Sequence, residues 1–506
     1  MANDVPGDDK LSALHRLKTL SSSKSASRHS RAPFAASSAA RAHEATDAYM
    51  DRFHEGLKAM GLDDDNDDDE GEQSTHGSAQ AKDRRVWTIP AKGAGGGART
   101  AAAAPRRAVA GARAAARAAP ADAQSAESSS TRHDTGRWLT GPLDAAGTEV
   151  DLSDRPLLCG SAHGDRVVLG GSDHALYEVD AVTGRRTRQL YNKRCGHAEW
   201  VTCVAHCPDG RVVSGGMDSK LCVWDARGVK CTDLVGHAGS VAEVKVASSG
   251  ECAVSASYDK TVRIWPLSVR GMRGGGGCAV LKAHKAPVIS LDAPMTGQLA
   301  ASGARDGELA AFDISAAAPL ARGLAHEGHV TAVMFRLLSG SAGAETSELF
   351  TGGQDGYVRH WDARAGFASP AAQAAAHRAA DGGTGAVGLL AQAPMRHLLI
   401  TGGADGAACV FDVRRASAPL AKLSSHSDFL YAMTVVGDRV LVTGDGRGEV
   451  HFHDLAAAVD GVEAKCAYAL GAGRNAVRYV GAVGASDALV CAGDDGNALV
   501  YRYGIA

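Results

Sequence analysis

One repeated unit, present several times in the last two thirds of the chain, constrains the fold most strongly. Its clearest copy spans residues 195–227. The copy opens on a Gly-His pair, passes through a Pro-Asp-Gly turn and then an Asp turn, and ends on Trp-Asp. Three short segments of alternating apolar and polar residues lie between these landmarks, which is typical of antiparallel strands separated by turns. A fourth strand has room before the next Gly-His pair, so the unit predicts an all-β fold.

The copies are counted from the turn aspartate, which lies four residues after a Ser or Thr and six before a Trp or Phe. Five copies are complete or nearly so, and their turn aspartates are Asp218, Asp259, Asp306, Asp355 and Asp405. Degenerate copies surround Asp173, Arg447 and Asp495, which makes eight. Successive turn positions lie 41 to 50 residues apart, close to the period of a four-stranded propeller blade.

This pattern resembles the WD40 repeat, and the resemblance covers residues 148–506. It implies an eight-bladed β-propeller. The first, seventh and eighth copies depart from the pattern, so a seven-bladed ring with one irregular blade is the alternative. The eighth copy shows three strands up to Tyr503, and an open blade edge would invite aggregation. We therefore expect an N-terminal strand to close the ring, with residues 148–152 as the first choice.

The resemblance also implies a buried, hydrogen-bonded tetrad in each complete blade, formed by the His, the second-strand Ser or Thr, the turn Asp and the third-strand Trp. The matched tetrads are His197, Ser214, Asp218 and Trp224; His237, Ser255, Asp259 and Trp265; and His326, Thr351, Asp355 and Trp361. Ser, His and Asp are also the residues of a hydrolase triad, but their recurrence beside a Trp favours a structural role. We therefore predict no enzyme, no cofactor and no metal site.

Composition limits the classes of partner. The formal net charge is −3 and 45% of residues are hydrophobic, so strong global attraction to nucleic acid or to an anionic membrane is not expected. No apolar run approaches the roughly 20 residues that span a bilayer. All 11 cysteines lie in the repeat region, and their odd number predicts reduced thiols in the cytoplasm or nucleus.

Residues 1–136 form a low-complexity extension that we expect to be largely disordered. Residues 10–43 have the Ser-, Ala- and Arg-rich composition of a transit peptide, which makes organelle import the alternative location. Residues 43–62 have apolar residues at helical spacing, and an amphipathic helix is predicted there. Residues 84–117 are basic and could contact nucleic acid weakly.

The function predicted from the resemblance is a non-catalytic scaffold that presents one propeller face to partner proteins. In this family that face is lined by the residue before the first-strand valine, the residue after it, and the residue before the turn aspartate. Here these positions are Trp200, Thr202, Met217, Tyr258, Arg305, His329, Gln354, Phe429, Tyr431 and Arg478.

The alternative function is that of a substrate receptor for a cullin–RING ubiquitin ligase. Two repeats end in Trp-Asp-Ala-Arg, at Arg227 and Arg364. They resemble the boxes with which such receptors contact their adaptor, and the resemblance assigns that contact to the two arginines.

Overall fold

The computed structural model describes residues 136–503, apart from 193, 269–276, 296, 339–345, 379–384, 416, 460–465, 474 and 484–486. The predicted amphipathic helix at 43–62, the transit-like segment at 10–43 and the basic block at 84–117 lie outside the described residues. Within them, eight four-stranded antiparallel sheets form the eight blades of a propeller. The prediction of an all-β, eight-bladed propeller is confirmed.

The chain enters the ring through β1 (Thr148–Asp151) and then builds the blades in order. Blade one contains β2 (Leu157–His163), β3 (Arg166–Gly171), β4 (Leu176–Asp180) and β5 (Arg185–Leu190). Blade two contains β6 (Val201–His206), β7 (Val212–Gly216), β8 (Lys220–Trp224) and β9 (Cys231–Val235). Blade three contains β10 (Val241–Ala247), β11 (Cys252–Ser257), β12 (Val262–Pro266) and β13 (Ala279–Leu281). Blade four contains β14 (Val288–Asp292), β15 (Leu299–Ala304), β16 (Glu308–Asp313) and β17 (Ala318–Leu324).

The second half of the ring repeats this arrangement. Blade five contains β18 (Val330–Phe335), β19 (Glu348–Gly353), β20 (Tyr357–Asp362) and β21 (Ala372–Ala375). Blade six contains β22 (Val387–Ala393), β23 (Leu398–Gly403), β24 (Ala408–Asp412) and β25 (Ala421–Leu423). Blade seven contains β26 (Leu430–Val436), β27 (Val440–Asp445), β28 (Glu449–Asp454) and β29 (Cys466–Gly471), and blade eight contains β30 (Val477–Val483), β31 (Ala488–Gly493) and β32 (Asn497–Arg502).

Blade eight is completed by β1, which pairs antiparallel with β32 from Thr148↔Val500 to Asp151↔Asn497. The predicted closure by residues 148–152 is therefore confirmed. Backbone hydrogen bonds along this pair cover the edge of β32, which would otherwise be open to other strands.

A segment before β1, which was not predicted from the sequence, reinforces the closure. Trp138, in a short 3-10 helix at Arg137–Leu139, is buried, with 1% of its surface exposed. Its ring stacks on that of Tyr503, with centroids 4.0 Å apart. The Tyr468 hydroxyl donates to the Trp138 carbonyl over 2.8 Å. The N-terminal segment therefore contacts blades seven and eight together.

Helical structure is minor in the described residues. It consists of α1 (Leu455–Val459) and 3-10 turns at Arg137–Leu139, Ser248–Gly250 and Pro394–Arg396. Among the residues that the structure describes, no helix is both long and apolar enough to cross a bilayer. The second strand of every blade is almost wholly buried, so the core lies between adjacent blades.

Candidate protein-binding face

The three tetrads matched from the sequence are each assembled in the structure. In blade two, one oxygen of Asp218 lies 3.0 Å from Nδ1 of His197, and Nε2 of His197 lies 2.8 Å from the Ser214 hydroxyl. The Trp224 indole N–H donates to the same hydroxyl over 2.9 Å. A Cβ on Gly216 would lie 2.5 Å from Nδ1 of His197, so the close approach of the imidazole requires glycine there.

The other two tetrads have the same connectivity. The imidazole-to-hydroxyl distance is 2.7 Å for both His237 with Ser255 and His326 with Thr351. The Asp–imidazole distances there are 2.8 and 2.9 Å, and both indoles donate to the shared hydroxyl. Each tetrad therefore joins the second and third strands of a blade to the loop that enters it, and its buried polar groups have the partners that such groups need.

Blade seven contains a related set that was not predicted from the sequence, because the turn position there is Arg447 rather than an aspartate. The structure supplies the missing carboxylate from Asp445, two residues earlier, which is fully buried. Its oxygen lies 3.0 Å from Nδ1 of His426, and Nε2 of His426 lies 2.8 Å from the Thr443 hydroxyl. The set is therefore present in blade seven without the Trp, and His453 takes the position of that residue.

Burial and hydrogen bonding together set the charge states of the His–Asp pairs in blades three and five. Burial lowers the pKa of His237 and of His326, although the paired carboxylate opposes the effect. Burial alone would raise the pKa of Asp259 and Asp355, but hydrogen bonds from the imidazoles hold it below its usual range. At neutral pH each of these two pairs is therefore a neutral imidazole beside a carboxylate.

A backbone hydrogen bond that recurs in every blade defines one end of the ring, which we call the top face. In all eight blades the N–H of the residue before the turn position donates, over 2.9–3.1 Å, to the carbonyl of the residue before the first-strand apolar residue. In blade two these residues are Met217 and Trp200. The residue before the turn position and the residue before the first-strand apolar residue, two of the three predicted positions, therefore lie side by side in every blade.

The third predicted position, the residue after the first-strand apolar residue, lies on a β-bulge. In every blade the register between the first and second strands shifts at the residue after the first apolar position. Thr202, Tyr431 and Arg478 occupy this place. An extra residue in one strand bends it and redirects its side chain, which explains why this position lies at the end of the ring.

The ten predicted face residues differ in accessibility. Trp200 is exposed, with 44% of its surface accessible. Eight are half-buried, and these are Thr202, Tyr258, Arg305, His329, Gln354, Phe429, Tyr431 and Arg478. Met217 is only 3% exposed, and the Ser240 hydroxyl donates to its backbone carbonyl over 3.4 Å. Its assignment to an accessible surface is therefore wrong.

Thr202 also has a structural role. Its hydroxyl lies 2.5 Å from the Val241 carbonyl, on the first strand of the next blade, and 3.1 Å from the Gly215 carbonyl. The Thr202 hydroxyl therefore joins blades two and three and is not available for a hydrogen bond to a partner protein.

Blades seven and eight place a continuous row of side chains on the top face. The rings of Phe429 and Tyr431 stack with centroids 5.7 Å apart. The Arg478 guanidinium lies over the Tyr431 ring, 4.3 Å from its centroid. Asp494, which the sequence analysis did not select, accepts two hydrogen bonds from Arg478 over 2.8 and 2.9 Å. This aromatic–cation row is held in a fixed geometry before any partner binds.

The arginines of the predicted adaptor contact lie at the opposite end of the blades. Arg227 and Arg364 are both exposed, in the loops that follow β8 and β20. Because these strands begin at the top-face turns, the loops after them belong to the bottom face. The structure therefore separates the two predicted surfaces.

The central channel contains a cavity of about 670 Å³, lined by the inner strands of blades one to five. Lys245 forms an ion pair with Glu243 over 2.9 Å. Another oxygen of Glu243 accepts from the Leu291 N–H over 2.7 Å, and Asp292 accepts from the Phe335 N–H over 2.7 Å. These carboxylates connect strands of neighbouring blades.

The cysteine prediction needs one correction. Cys195, in the loop before β6, is bonded to Cys231 on β9. An odd number of cysteines leaves at least one thiol unpaired but does not prevent a pair, and the fold brings together two residues that are 36 positions apart. The other nine cysteines are free.

A group of potential metal donors, also missed in the sequence, lies in blade seven. One ligand atom from each of His451, His453 and Cys466 falls within 4.8 Å of the others. Burial, together with the neighbouring imidazoles, lowers the pKa of His453 to about 3, and burial also lowers that of His451. Two His residues at alternate positions of one strand could have indicated a metal site. The third donor could not be identified in this way, because Cys466 lies on the next strand.

Comparison with known proteins agrees with the fold. The family model "WD domain, G-beta repeat" matches residues 188–225 and 228–266. The small ribosomal subunit protein RACK1 of Neurospora crassa is 35% identical over 77 residues, which cover 14% of this chain and 24% of that protein. A p21-activated protein kinase-interacting protein 1-like of Danio rerio is 23% identical over 200 residues, covering 33% and 53%. The chain thus matches between a quarter and about half of the length of these relatives.

Two further similarities extend the comparison. WD repeat-containing protein 1 of Xenopus tropicalis is 27% identical over 178 residues, which cover 34% of this chain and 28% of that protein. The crystal structure of the computationally designed Ika8 protein superposes with a TM-score of 0.58 at 20% identity, over 70% of this chain and 100% of Ika8. This likeness shows the fold alone. The two repeats that match the family model, the tetrads and these relatives support a WD40-repeat family protein.

Proposed function

We propose that this protein is a non-catalytic scaffold that binds partner proteins through the top face of its propeller. The observation that carries the proposal is the aromatic–cation row Phe429–Tyr431–Arg478, together with the exposed Trp200. Aromatic and Arg side chains are the residues most enriched at binding hot spots. The row is rigid, so a partner would lose little side-chain entropy on the propeller's side when it docks.

The chemistry of the blades supports the same proposal. The Ser, His and Asp residues that resemble hydrolase groups are bonded to one another and to indoles in the core. A nucleophile must be reachable by its substrate, and these hydroxyls are buried. WD40 propellers are in general non-enzymatic.

The names of two relatives support a role within assemblies. One is a small ribosomal subunit protein and the other is a kinase-interacting protein. We propose a comparable partner-binding role for this chain, in the cytoplasm or nucleus.

The test is affinity capture from cells with the unaltered protein and two variants. Trp200→Ala removes the exposed ring on the top face, and we expect loss of specific partners. The matched control is Leu324→Ala, which removes an apolar side chain that is 68% exposed on the outer strand of blade four. Thermal melts of both variants should match the unaltered protein. Equal capture by the two variants would contradict top-face binding.

The ligase-receptor function is the second candidate, and the exposure of Arg227 and Arg364 on the bottom face favours it. Two guanidinium groups at blade ends could bind carboxylates of an adaptor. By contrast, the corresponding Arg414 of blade six is ion-paired to Asp412 over 2.7 Å. We propose this contact as an additional one, compatible with a partner on the top face.

A further inference from the structure

Blade seven replaces the tetrad Trp with His453 and carries a second histidine, His451, two residues earlier on β28. Residues two apart on a strand project to the same side of the sheet. Cys466 on β29 pairs directly with His453, and directly paired residues also share a side. The fold therefore brings two imidazoles and a thiol together at the outer part of one blade, with ligand atoms within 4.8 Å of one another.

The two imidazoles each have one ring nitrogen without a partner. Nδ1 of His451 and Nδ1 of His453 are buried and have no hydrogen-bond partner. The residues are 7% and 1% exposed, so bulk water does not compensate either atom. A buried polar atom without a partner costs about 1–3 kcal/mol. The third donor of the group, the Cys466 thiol, donates to the Tyr468 carbonyl over 3.0 Å, and a metal ion would replace its proton.

The remaining nitrogens are held by neighbouring groups. Nε2 of His451 lies 3.3 Å from the Glu449 carboxylate, and Nε2 of His453 lies 3.1 Å from the Ser425 hydroxyl. With its proton on Nε2 toward Glu449, His451 presents the Nδ1 lone pair. Metal-binding histidines are usually oriented in this way, through a hydrogen bond from the second ring nitrogen to a carboxylate or another polar group.

We propose that His451, His453 and Cys466 bind Zn²⁺. Two imidazoles and a thiolate are a ligand set that Zn²⁺ accepts, with water in the fourth position of a tetrahedral site. From Zn–N and Zn–S bond lengths, the donors of such a site lie about 3.3–3.6 Å apart. A movement on the order of 1 Å would therefore close the set around the ion. On binding, the Cys466 thiol loses its proton to solvent and the two neutral imidazoles donate lone pairs.

A second group of donors in the same blade is less suited to a metal. It consists of His426, Glu449 and His451. Both ring nitrogens of His426 already have partners, Asp445 and Thr443. A metal there would have to break the buried set that replaces the tetrad, whereas the proposed site uses the two unpartnered nitrogens.

The proposed ion would have a structural consequence. In blades two, three and five the Trp indole connects the third strand to the second through the shared hydroxyl. Blade seven lacks this indole, and a Zn²⁺ held by β28 and β29 would join the third strand to the outer strand instead. The site thus lies where this blade has lost a stabilising contact.

The test is titration of the chelator-treated, full-length protein with Zn²⁺, and with Co²⁺ as a spectroscopic probe. We expect one equivalent of Co²⁺ to give a thiolate-to-cobalt charge-transfer band, displaced by Zn²⁺ and absent in Cys466→Ser. Glu449→Gln, which changes only the orienting carboxylate, should weaken Zn²⁺ binding by about 10–100-fold. The matched control is Cys278→Ser, a half-buried cysteine of blade three, which should retain the band.

Cys466 is half-buried, so Ser at this position should leave the metal-free melt unchanged, and melts of each variant verify this. Absence of stoichiometric binding would overturn the proposal. So would Co²⁺ bound without a charge-transfer band, or binding that persists in Cys466→Ser, since the metal would then lie elsewhere in the chain.

Discussion

Trp138→Ala provides a quantitative test of how the ring is closed. A Trp side chain buries about 150–250 Å², and at about 25 cal/mol per Å² its removal costs about 4–6 kcal/mol. Large-to-small changes of this type in cores cost about 3–5 kcal/mol. Trp138 is 1% exposed and stacks on Tyr503. We therefore expect a loss of about 3–5 kcal/mol in the free energy of unfolding.

The measurement is equilibrium denaturation in guanidinium chloride, followed by circular dichroism because fluorescence changes when a Trp is removed. Trp200→Ala is the matched control, since 44% of this side chain is already exposed. We expect its effect to stay within about 1 kcal/mol of zero. If both variants unfold at the same denaturant concentration, the segment around Trp138 does not hold blades seven and eight together. A chain that begins at residue 156 should aggregate, because it lacks both Trp138 and β1, whereas one that begins at residue 136 should fold.

Four further predictions follow from individual contacts. Asp445→Ala should destabilise the protein by about 1–3 kcal/mol, because it leaves a buried imidazole without its partner, while Arg447→Ala should be nearly neutral; chemical denaturation of both decides between the two positions. Arg227→Ala combined with Arg364→Ala should abolish adaptor capture without changing the melt, and unchanged capture would leave the two arginines as ordinary surface residues. Tyr431→Ala should weaken the binding of a captured partner by about 2 kcal/mol or more, as hot-spot residues do, and titration calorimetry measures it; lost stability with intact affinity would assign the ring to packing. The free energy of unfolding should fall as pH drops below about 6.5, because burial lowers the pKa of His237 and His326 and the unfolded chain takes up those protons first. It should fall further below about 3.8, the unfolded pKa of Asp259 and Asp355, whose folded pKa is depressed. A flat profile between pH 7 and 5 in denaturant titrations would contradict neutral buried imidazoles.

The repeat, the blade count and the closing strand could be predicted from the sequence. They depend on local spacing, because each blade needs the same turns and the same alternation of apolar residues to bury its strands. The four residues of a tetrad also occur at fixed intervals within one repeat, as Ser214 and Trp224 do. The strand at 148–152 was predictable because an unpaired edge in the last blade can be covered only by a strand from elsewhere.

Tertiary structure alone decided the features that depend on contacts between distant segments. Asp445 replaces the turn carboxylate because the end of β27 lies beside His426, which spacing within the repeat does not reveal. Trp138 reaches its pocket only once blades seven and eight stand side by side. Tertiary packing also decided which residues of the predicted face are accessible, since Met217 is buried and Trp200 is exposed. Sequence spacing determines which residues share a strand, and the packing of blades against one another determines which of their side chains remain accessible.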